Sequence, residues 1–354
     1  PVNFPHSSLK HFLYVLSQLE TQRFTESEQM LNSALEIRKR LADSNPQTYG
    51  PALAMSYNNL GLLYQETQRF TDSEQMHKSA LEIRKCLAKS NPQTYVPGLA
   101  KSYNNLANLY SSTRRFTDSE QMYKSALEIY KRLADSNPQM YEPDLALFYN
   151  NLAVLYYFTR RFADSEQMHK SALEIRKRLA KSNLQTYEPD LAMSYNNLGI
   201  LYSAARRFGD SEQMHKSALE IRKCLAKSNP LAYEPDLSDS YNNLGILYRA
   251  THRFADSEAM HKSALEIRKR LADSNPQTYG PALAMSYNNL GILYSATQRF
   301  TDSEQMYKSA LEIYKRLADS NPQVYNSYVA MCYNDLANLY SSTHRFADSE
   351  AMHK

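Results

Sequence analysis

A four-letter core, Tyr-Asn-Asn-Leu, returns at a fixed interval along almost the whole chain. Its copies begin at Tyr57, Tyr103, Tyr149, Tyr195, Tyr241 and Tyr287, and a variant begins at Tyr333. Subtracting neighbouring positions gives 46 each time. A fixed period in this range is typical of repeat architectures, in which one supersecondary unit stacks on copies of itself. The function of such a chain depends on the surfaces of an array.

Composition argues against several classes of partner. The 41 lysines and arginines against 37 aspartates and glutamates leave a formal charge of +4, which is small for 354 residues. Neither nucleic acid nor an anionic membrane is therefore required. The sequence contains no run of about 18 apolar residues, so no membrane-spanning helix is expected. The three cysteines are too few for a disulfide framework, so a reducing, cytoplasmic setting is the prediction.

Each period predicts two helices joined by a short turn. In the unit at 188–233, apolar residues recur at three- and four-residue steps, which predicts an amphipathic helix A. These residues are Leu191, Tyr195, Leu198, Leu201 and Tyr202. Gly199, on the same helix, predicts a close helix crossing. No strand is expected anywhere in the chain.

Helix B follows the turn and carries its own start and stop signals. Entries such as Thr71-Asp72-Ser73-Glu74 predict a capping box. Arg222 is expected on the outward side of helix B. The helix should end near Asn229-Pro230, and a loop through Tyr233 and Pro235 should restart the cycle.

The motif Tyr-x2-Leu-Gly-x2-Tyr at 195–202 resembles the helix A signature of the tetratricopeptide repeat (TPR) family, with Tyr195 in the slot that usually holds Trp. Ser211, His215 and Ala218 stand where that family has a small residue, an aromatic residue and an alanine. The long period and the Asn-Asn-Leu-Gly core are most similar to the lengthened kinesin-light-chain repeat. The resemblance implies an all-α fold, an α-solenoid forming a right-handed superhelix of about eight helix-turn-helix hairpins.

One array over residues 1–354 is expected, with helix A starting near residues 6, 51, 97, 143, 189, 235, 281 and 327. The first repeat is degenerate, because His11-Phe12-Leu13-Tyr14-Val15 replaces the usual core. The last repeat is truncated at Lys354, inside an expected helix, and the chain begins without a Met. We therefore expect the sequence to be a piece of a longer protein.

Asparagine pairs on helix A are the first candidate site. In the TPR family helix A lines a concave groove, and an asparagine there often holds the backbone of an extended peptide. That slot is occupied here by Asn59, Asn105, Asn151, Asn197, Asn243 and Asn289, and the preceding Asn58, Asn104, Asn150, Asn196, Asn242 and Asn288 are expected to face the same groove. An amide both donates and accepts, so such rows can satisfy successive peptide groups. The alternative is that they bond within the hairpin or to water.

Positions that differ between repeats would supply preference for particular side chains. The fourth repeat has apolar and aromatic residues at helix A slots that hold Met, Ile, Ser and Ala in the fifth and seventh repeats. This fourth-repeat patch consists of Leu147, Val154, Tyr157 and Phe158. It either anchors a partner or packs against neighbouring helices or a second copy. The sixth repeat adds Asp239 and Arg249, which predicts a groove of mixed charge.

An arginine at every A-to-B turn forms a row from Arg23 to Arg345. Such a row could contact phosphates. However, an aspartate follows most of these arginines by three residues, as Asp118 follows Arg115, so local pairing is the preferred interpretation. Nucleic acid is accordingly not the expected partner.

Histidines share one slot on helix B with tyrosines. The slot holds His77, His169, His215, His261 and His353, with Tyr123 and Tyr307 elsewhere. Exchange with tyrosine predicts packing rather than a metal site. The chain also shows no nucleophile with a placed base, no phosphate-binding glycine loop and no paired cysteine spacing. We expect no catalysis, no cofactor and no metal.

The leading hypothesis is a non-enzymatic scaffold that binds an extended peptide or a partner segment in the groove. The main alternative is a regulatory or sensor module of a larger enzyme or signalling protein. A self-assembling array is a weaker alternative. The sequence does not identify the partner.

Overall fold

The chain folds into α-helices joined by short turns. The structure, a computed structural model, describes the backbone of residues 6–353 and the side chains of residues 24–352. No β-strand occurs in this part of the chain, so the all-α prediction is confirmed. The helices there are α1 (His6–Ser44), α2 (Pro46–Glu66), α3 (Phe70–Ser90), α4 (Pro92–Ser112), α5 (Phe116–Ser136), α6 (Pro138–Phe158), α7 (Phe162–Ser182), α8 (Leu184–Ala204), α9 (Phe208–Ser228), α10 (Pro230–Ala250), α11 (Phe254–Ser274), α12 (Pro276–Ala296), α13 (Phe300–Ser320), α14 (Pro322–Ser342) and α15 (Phe346–His353).

From the second repeat onward, the even-numbered helices are helix A and the odd-numbered helices are helix B. The helices fall into two compact units, an N-terminal unit of residues Gln18–Tyr187 and a C-terminal unit that contains Glu188–Lys354. Within each unit, helix A packs on helix B of its own repeat and on helix B of the preceding one. This is the helix-turn-helix arrangement that the period predicts.

Helix A begins five residues earlier than expected, at Pro46 rather than at residue 51 in the second repeat. The preceding asparagine explains the difference. The Asn45 side chain accepts the backbone N–H of Thr48 at 3.1 Å, and proline at the first helical position has no N–H to satisfy. One Asn-Pro pair therefore ends helix B and starts the next helix A.

The segment expected to be a loop is the first part of helix A. Tyr233 and Pro235 both lie inside α10, so the loop prediction is wrong. An interior proline leaves the carbonyl four residues before it without a helical partner. At the equivalent Pro51 this is the carbonyl of Gln47, which accepts the hydroxyl of Tyr95 from the next repeat at 3.3 Å. A side chain from the next repeat thus satisfies the group that the proline leaves open.

A three-residue turn joins helix A to helix B. In the second repeat Arg69 N–H donates to the Tyr64 carbonyl at 2.7 Å and Gln68 N–H donates to the Gln65 carbonyl at 3.1 Å, which is the Schellman pattern. The pattern requires one residue in the left-handed conformation. In each turn that residue has a φ between 58° and 60°, and none of these left-handed residues is glycine. They are Gln68, Arg114, Arg160, Arg206, His252, Gln298 and His344.

The predicted capping box at the start of helix B is wrong. Helix α3 begins at Phe70, so Thr71 is already its second residue, and the Arg69 side chain makes no capping bond. Ser73 is instead buried and donates its hydroxyl to the Gly61 carbonyl at 2.7 Å. The serine therefore joins helix B to helix A of the same repeat.

The two helices of a repeat cross closely, as the helix A glycine predicts. A Cβ atom added to Gly199 would lie 2.6 Å from Cε1 of His215. Leu198 and Leu201 are buried beside this crossing. Only a small residue fits here, because the imidazole ring packs directly on the helix A backbone, and Ala153 occupies the same slot opposite the buried His169 in the fourth repeat.

The first repeat is not a hairpin in this structure, because α1 continues from His6 to Ser44 without a turn. The five letters at 20–24 are the same as those at 66–70, which form the turn of the second repeat. The closing pair differs: Val15 and Leu31 stand in the slots held by Gly61 and His77. Loss of that small-residue and ring pair gives a physical reason for the unbroken helix. The side chain of Arg23 lies outside the described residues.

Candidate functional site

The helix A asparagines bond to one another between adjacent repeats. In the four contacts that follow, the second asparagine of one repeat donates its amide to the side-chain oxygen of the first asparagine in the preceding repeat. In the N-terminal unit Asn105 donates to Asn58, and Asn151 donates to Asn104 at 3.0 Å. In the C-terminal unit Asn243 donates to Asn196 at 2.9 Å, and Asn289 donates to Asn242 at 2.8 Å. We call these contacts the asparagine ladder.

The two asparagine positions differ in accessibility. Asn150, Asn242 and Asn288, at the first position of the pair, are buried. Asn58, Asn104 and Asn196, also at the first position, are partly buried, as is the second position except at Asn59, which is exposed. In the fourth, sixth and seventh repeats the second asparagine therefore has the better access to a ligand.

Asp335 reverses the last rung of the ladder. A carboxylate has no N–H to donate, so Asn288 donates to Asp335 instead of accepting from it. The Asn288 oxygen is then buried without a hydrogen-bond partner. Burial raises the pKa of Asp335, and the hydrogen bond from Asn288 opposes this shift.

One side of each helix A is accessible along its length. In α6 this side carries Leu147, Asn151, Val154 and Phe158, which follow one another at four-, three- and four-residue steps. We call the equivalent positions in every repeat the helix A face. Leu147 is 42% exposed and Phe158 is 65% exposed. An accessible leucine and an accessible phenylalanine, about three helical turns apart with the half-buried Val154 between them, give this face an apolar stripe.

The fourth-repeat patch is partly exposed and partly packed. Tyr157 lies edge-on to Phe158, with ring centroids 5.7 Å apart. Its ring is also tilted against that of Phe162, with centroids 6.1 Å apart. Val154 is half-buried. The structure therefore brings the four predicted residues together on one helix, with Phe158 as the most accessible of them.

The two charged residues of the sixth repeat have different surroundings. Asp239 accepts a hydrogen bond from Arg268 of the following helix B at 2.6 Å. Arg249 is half-buried, and its Nε has no hydrogen-bond partner. Asp239 is thus bonded to another side chain of the array, whereas Nε of Arg249 is not.

Buried arginines join helix B to helix A of the next repeat. Arg222 was expected to point outward, and this prediction is wrong: it is buried and donates to the Ser240 hydroxyl at 2.9 Å and the Asp236 carbonyl at 3.1 Å. The long side chain reaches the neighbouring repeat, which the helical spacing alone does not show. Between the third and fourth repeats, Tyr130 and Phe148 occupy the equivalent two slots and stack with their ring centroids 4.5 Å apart.

The turn arginines are neutralised on both sides. Arg115 contacts Asp118 at 2.8 Å, so the predicted local pairing is confirmed. It also donates to Glu74 of the preceding repeat at 2.7 Å, and Tyr110 donates to the same carboxylate at 3.0 Å. The guanidinium lies over the Tyr110 ring, 4.1 Å from its centroid. The pairs with an aspartate three residues on recur at Arg69, Arg161, Arg207, Arg253, Arg299 and Arg345.

Carboxylates in these turn clusters are stabilised in the charged form. Burial would raise the pKa of Glu304, but hydrogen bonds from Lys308, Arg345 and Tyr340 outweigh this and lower the pKa to about 2. The sequence pattern showed the local aspartate and missed this glutamate, because the glutamate lies 41 residues before its arginine. The basic row is therefore part of the contact between repeats.

The histidine slot packs against helix A. His77, His169, His215 and His261 are buried, and burial lowers the pKa of each to about 4, with a nearby arginine adding to the shift. Tyr307 lies against Gly291 in the same way. The packing interpretation is confirmed for these residues, while the side chain of His353 lies outside the described residues. Among the side chains from residue 24 to 352, no group of His, Cys, Asp or Glu is arranged to hold a metal ion.

Comparison with known families agrees with the architecture. A tetratricopeptide repeat model matches residues 14–85, 144–223 and 236–316, and a second tetratricopeptide repeat model matches residues 99–138 and 329–354. The chain belongs to the tetratricopeptide repeat family. TPR arrays are protein-interaction modules, and within the described part of this one no helix is long and apolar enough to cross a membrane.

Solved TPR structures resemble the chain over most of its length. BtubC from P. vanneervenii is 28% identical, with a TM-score of 0.59, covering 70% of this chain and 92% of that one. A signal-transduction ATPase with a TPR sensor from Pyrococcus horikoshii is 14% identical, with a TM-score of 0.59, covering 99% of this chain and 50% of that one. A kinesin light chain with nearly identical TPR-like repeats from Podosopora anserina is 15% identical, with a TM-score of 0.50, covering 64% of this chain and 98% of that one. No curated protein matches the chain.

Proposed function

We propose that this TPR array is a non-enzymatic scaffold that binds an extended peptide, or an extended segment of a partner protein, along the helix A face. The observation that carries the proposal is the accessible stripe of Leu147, Val154 and Phe158 on α6. Large accessible apolar side chains grouped on one helix are typical of interaction surfaces. The partly exposed Asn151 lies on the same stripe and offers an amide to the peptide backbone.

The ladder adds a requirement to this proposal. Asn151 already donates one N–H to Asn104, so a ligand would use its remaining N–H and its oxygen. A peptide bound there would contact amides whose orientation is held by the neighbouring repeat. Such preorganisation lowers the entropy that is lost on binding.

A calorimetric titration tests the proposal. Peptides retained from a random dodecapeptide library would be titrated into the wild type, Phe158→Ala and Leu231→Ala. Leu231 is the control, because it is 84% exposed at the start of another helix A, α10, and lies about a quarter turn around that helix from the helix A face. We expect Kd to rise at least about tenfold for Phe158→Ala and to stay unchanged for Leu231→Ala. Equal Kd values in all three proteins would contradict the proposal.

A second candidate is a sensor module within a larger signalling protein. The fold of the Pyrococcus horikoshii ATPase, whose TPR region is described as a sensor, favours it by analogy only. Finding a catalytic domain next to the array in the intact gene product would support this function, and an array expressed alone would contradict it. Self-association stays a prediction that light scattering across a concentration series would test.

A further inference from the structure

The first helix leaves a line of apolar side chains exposed. On α1, Met30 is 72% exposed, Ile37 is 52% exposed and Leu41 is 39% exposed. Together with the half-buried Ser27 and Ala34 they follow one another at three- and four-residue steps, so all five share one side of the helix. We call this side the α1 stripe. Large apolar side chains exposed in one line are typical of a surface that a partner covers.

The equivalent side of helix B is covered in the next repeat. Leu87, the equivalent of Leu41, is only 5% exposed, and a Cβ atom added to Gly50 on α2 would lie 3.3 Å from its Cδ2. Ile83 packs against a buried cluster formed by α1 and α2. Helix A of the same repeat therefore covers this side of helix B, whereas α1 continues unbroken from His6 to Ser44 instead of folding back.

Folding back in the register of the later repeats would not supply an apolar cover. Four helix A slots that hold apolar or aromatic residues in the second repeat hold polar residues in the first. They are Ser7, His11, Ser17 and Gln18, against Leu53, Tyr57, Leu63 and Tyr64. Burying such polar groups against Met30 and Ile37 is unfavourable, because a polar group removed from water without a hydrogen-bond partner costs free energy.

In the sequence, the register of the α1 stripe continues towards the N-terminus. Alternating steps of three and four residues before Ser27 reach Arg23, Glu20, Leu16, Leu13 and Leu9. Positions that recur in this way, every 3.5 residues on average, are the core positions of a coiled coil. The register is apolar at both ends and polar in its middle.

We propose that the α1 stripe is covered by α1 of a second copy of this chain, and that the two helices form an antiparallel coiled coil. Leu13 of one copy then meets Ile37 of the other, so each apolar end covers the apolar end of its partner. A parallel pair would instead place Glu20 against Glu20 and Arg23 against Arg23, and facing like charges are unfavourable. This inference is independent of the proposed function.

Disulfide cross-linking of the full chain tests the arrangement. The double variant Leu13→Cys/Ile37→Cys is made in a background of Cys86→Arg and Cys224→Arg, because arginine fills this slot in other repeats, as at Arg132. In the antiparallel pair, oxidation should give a covalent dimer on a non-reducing gel. The two copies of residue 13 would lie about 36 Å apart, so Leu13→Cys alone should give no dimer.

Each outcome of the cross-linking decides the inference. A covalent dimer from the double variant alone would support the antiparallel pair. An internally cross-linked monomer would show that each chain covers its own stripe, and a covalent dimer from the single variant would indicate a parallel pair. Either of these results, or the absence of any cross-link, would overturn the inference.

Sedimentation equilibrium gives a second measurement that needs no added thiol. The wild type should be a dimer, and Ile37→Asp should raise its dissociation constant at least about tenfold, because a charge would enter the apolar contact. Leu231→Asp is the matched control, since it adds the same charge at a residue that is 84% exposed on α10, and it should leave the constant unchanged. Circular dichroism checks that both variants keep their helices. A wild type that stays monomeric across the concentration series would overturn the inference and leave the proposed function intact.

Discussion

Asn289 donates its side-chain amide to the oxygen of Asn242 at 2.8 Å and so joins helix A of the seventh repeat to helix A of the sixth. Asn242 is only 5% exposed. The residues that the TPR resemblance assigns to ligand capture thus also connect neighbouring repeats. A substitution in the asparagine ladder is therefore expected to change stability as well as binding.

Replacing Asn289 by alanine should lower the free energy of unfolding by about 1–3 kcal/mol, because the buried Asn242 oxygen loses its donor. Urea unfolding followed by circular dichroism measures this change. Asn59→Ala is the matched control, since Phe12 stands in the ladder slot of the preceding repeat and Asn59 is exposed. The control should stay within about 0.5 kcal/mol of the wild type. Equal losses for the two variants would refute the ladder.

The contact between Arg222 and Ser240 should be exchangeable for the pair of Tyr130 and Phe148, which joins the third and fourth repeats in the same way. Tyr130 bonds to Asp144 at 2.8 Å, and Asp236 stands in the equivalent slot after Arg222. We expect Arg222→Tyr and Ser240→Phe each to destabilise by about 1–3 kcal/mol. The double variant should recover at least about 1 kcal/mol of the summed loss, as measured by a double-mutant cycle. Simple additivity would show that the pairs are not equivalent.

As the pH is lowered, the array should begin to lose stability at a higher pH than protonation of its carboxylates alone would predict. Buried His215 has a pKa lowered to about 4, so unfolding takes up a proton between pH about 6.5 and 4. The free energy of unfolding is unaffected by this histidine above pH 6.5, where it is neutral in both states. It falls as the pH decreases from 6.5 to 4, by up to about 1.4 kcal/mol per pH unit.

His215→Tyr tests this pH dependence, because Tyr307 already packs against a glycine in the equivalent place. Urea midpoints measured from pH 4 to 7 should fall less steeply in the variant than in the wild type. The carboxylate effect of Glu304, whose pKa is lowered to about 2, appears below pH about 4.3 and stays in both proteins. Identical slopes above pH 4.3 would contradict the assignment to histidine.

Gln298→Gly should stabilise the array by about 0.5–1 kcal/mol, because glycine adopts the left-handed conformation of this turn without a Cβ clash. The nearby Ala296→Gly should do the opposite, since Ala296 is the last helical residue of α12 and replacing a helical alanine by glycine costs up to about 1 kcal/mol. Thermal melts of the two variants measure the effects. A loss of stability in both would show that the turn conformation is not limiting.

From the second repeat onward the period predicts the hairpins, because the buried residues of helix A and helix B recur at helical steps. The helix A starts were missed because Pro230 was interpreted only as a stop, whereas the Asn-Pro pair is both a cap and a first helical residue. Asn229 could have indicated this, since its side chain accepts the N–H of Ala232 at 3.3 Å.

The contacts between repeats could not be read from one helix. Arg222 and Ser240 are 18 residues apart on different helices, so helical periodicity carries no information about their pairing. The sequence nevertheless contains a signal for this pairing. The positions equivalent to Arg222 and Ser240 change together between the third and fourth repeats, where they hold Tyr130 and Phe148. The asparagine ladder had no such signal, since nearly every copy has the same two letters. Whether those amides also hold a peptide stays a prediction.

The most direct test of the account is to locate a bound peptide on the surface. A retained dodecapeptide carrying a photoreactive benzophenone would be cross-linked to the array, and the attached residues identified by mass spectrometry. The account predicts cross-links to the helix A face, at Leu147, Val154 and Phe158 and their equivalents in other repeats. Cross-links confined to the exposed side of helix B, or to the A-to-B turns, would contradict it.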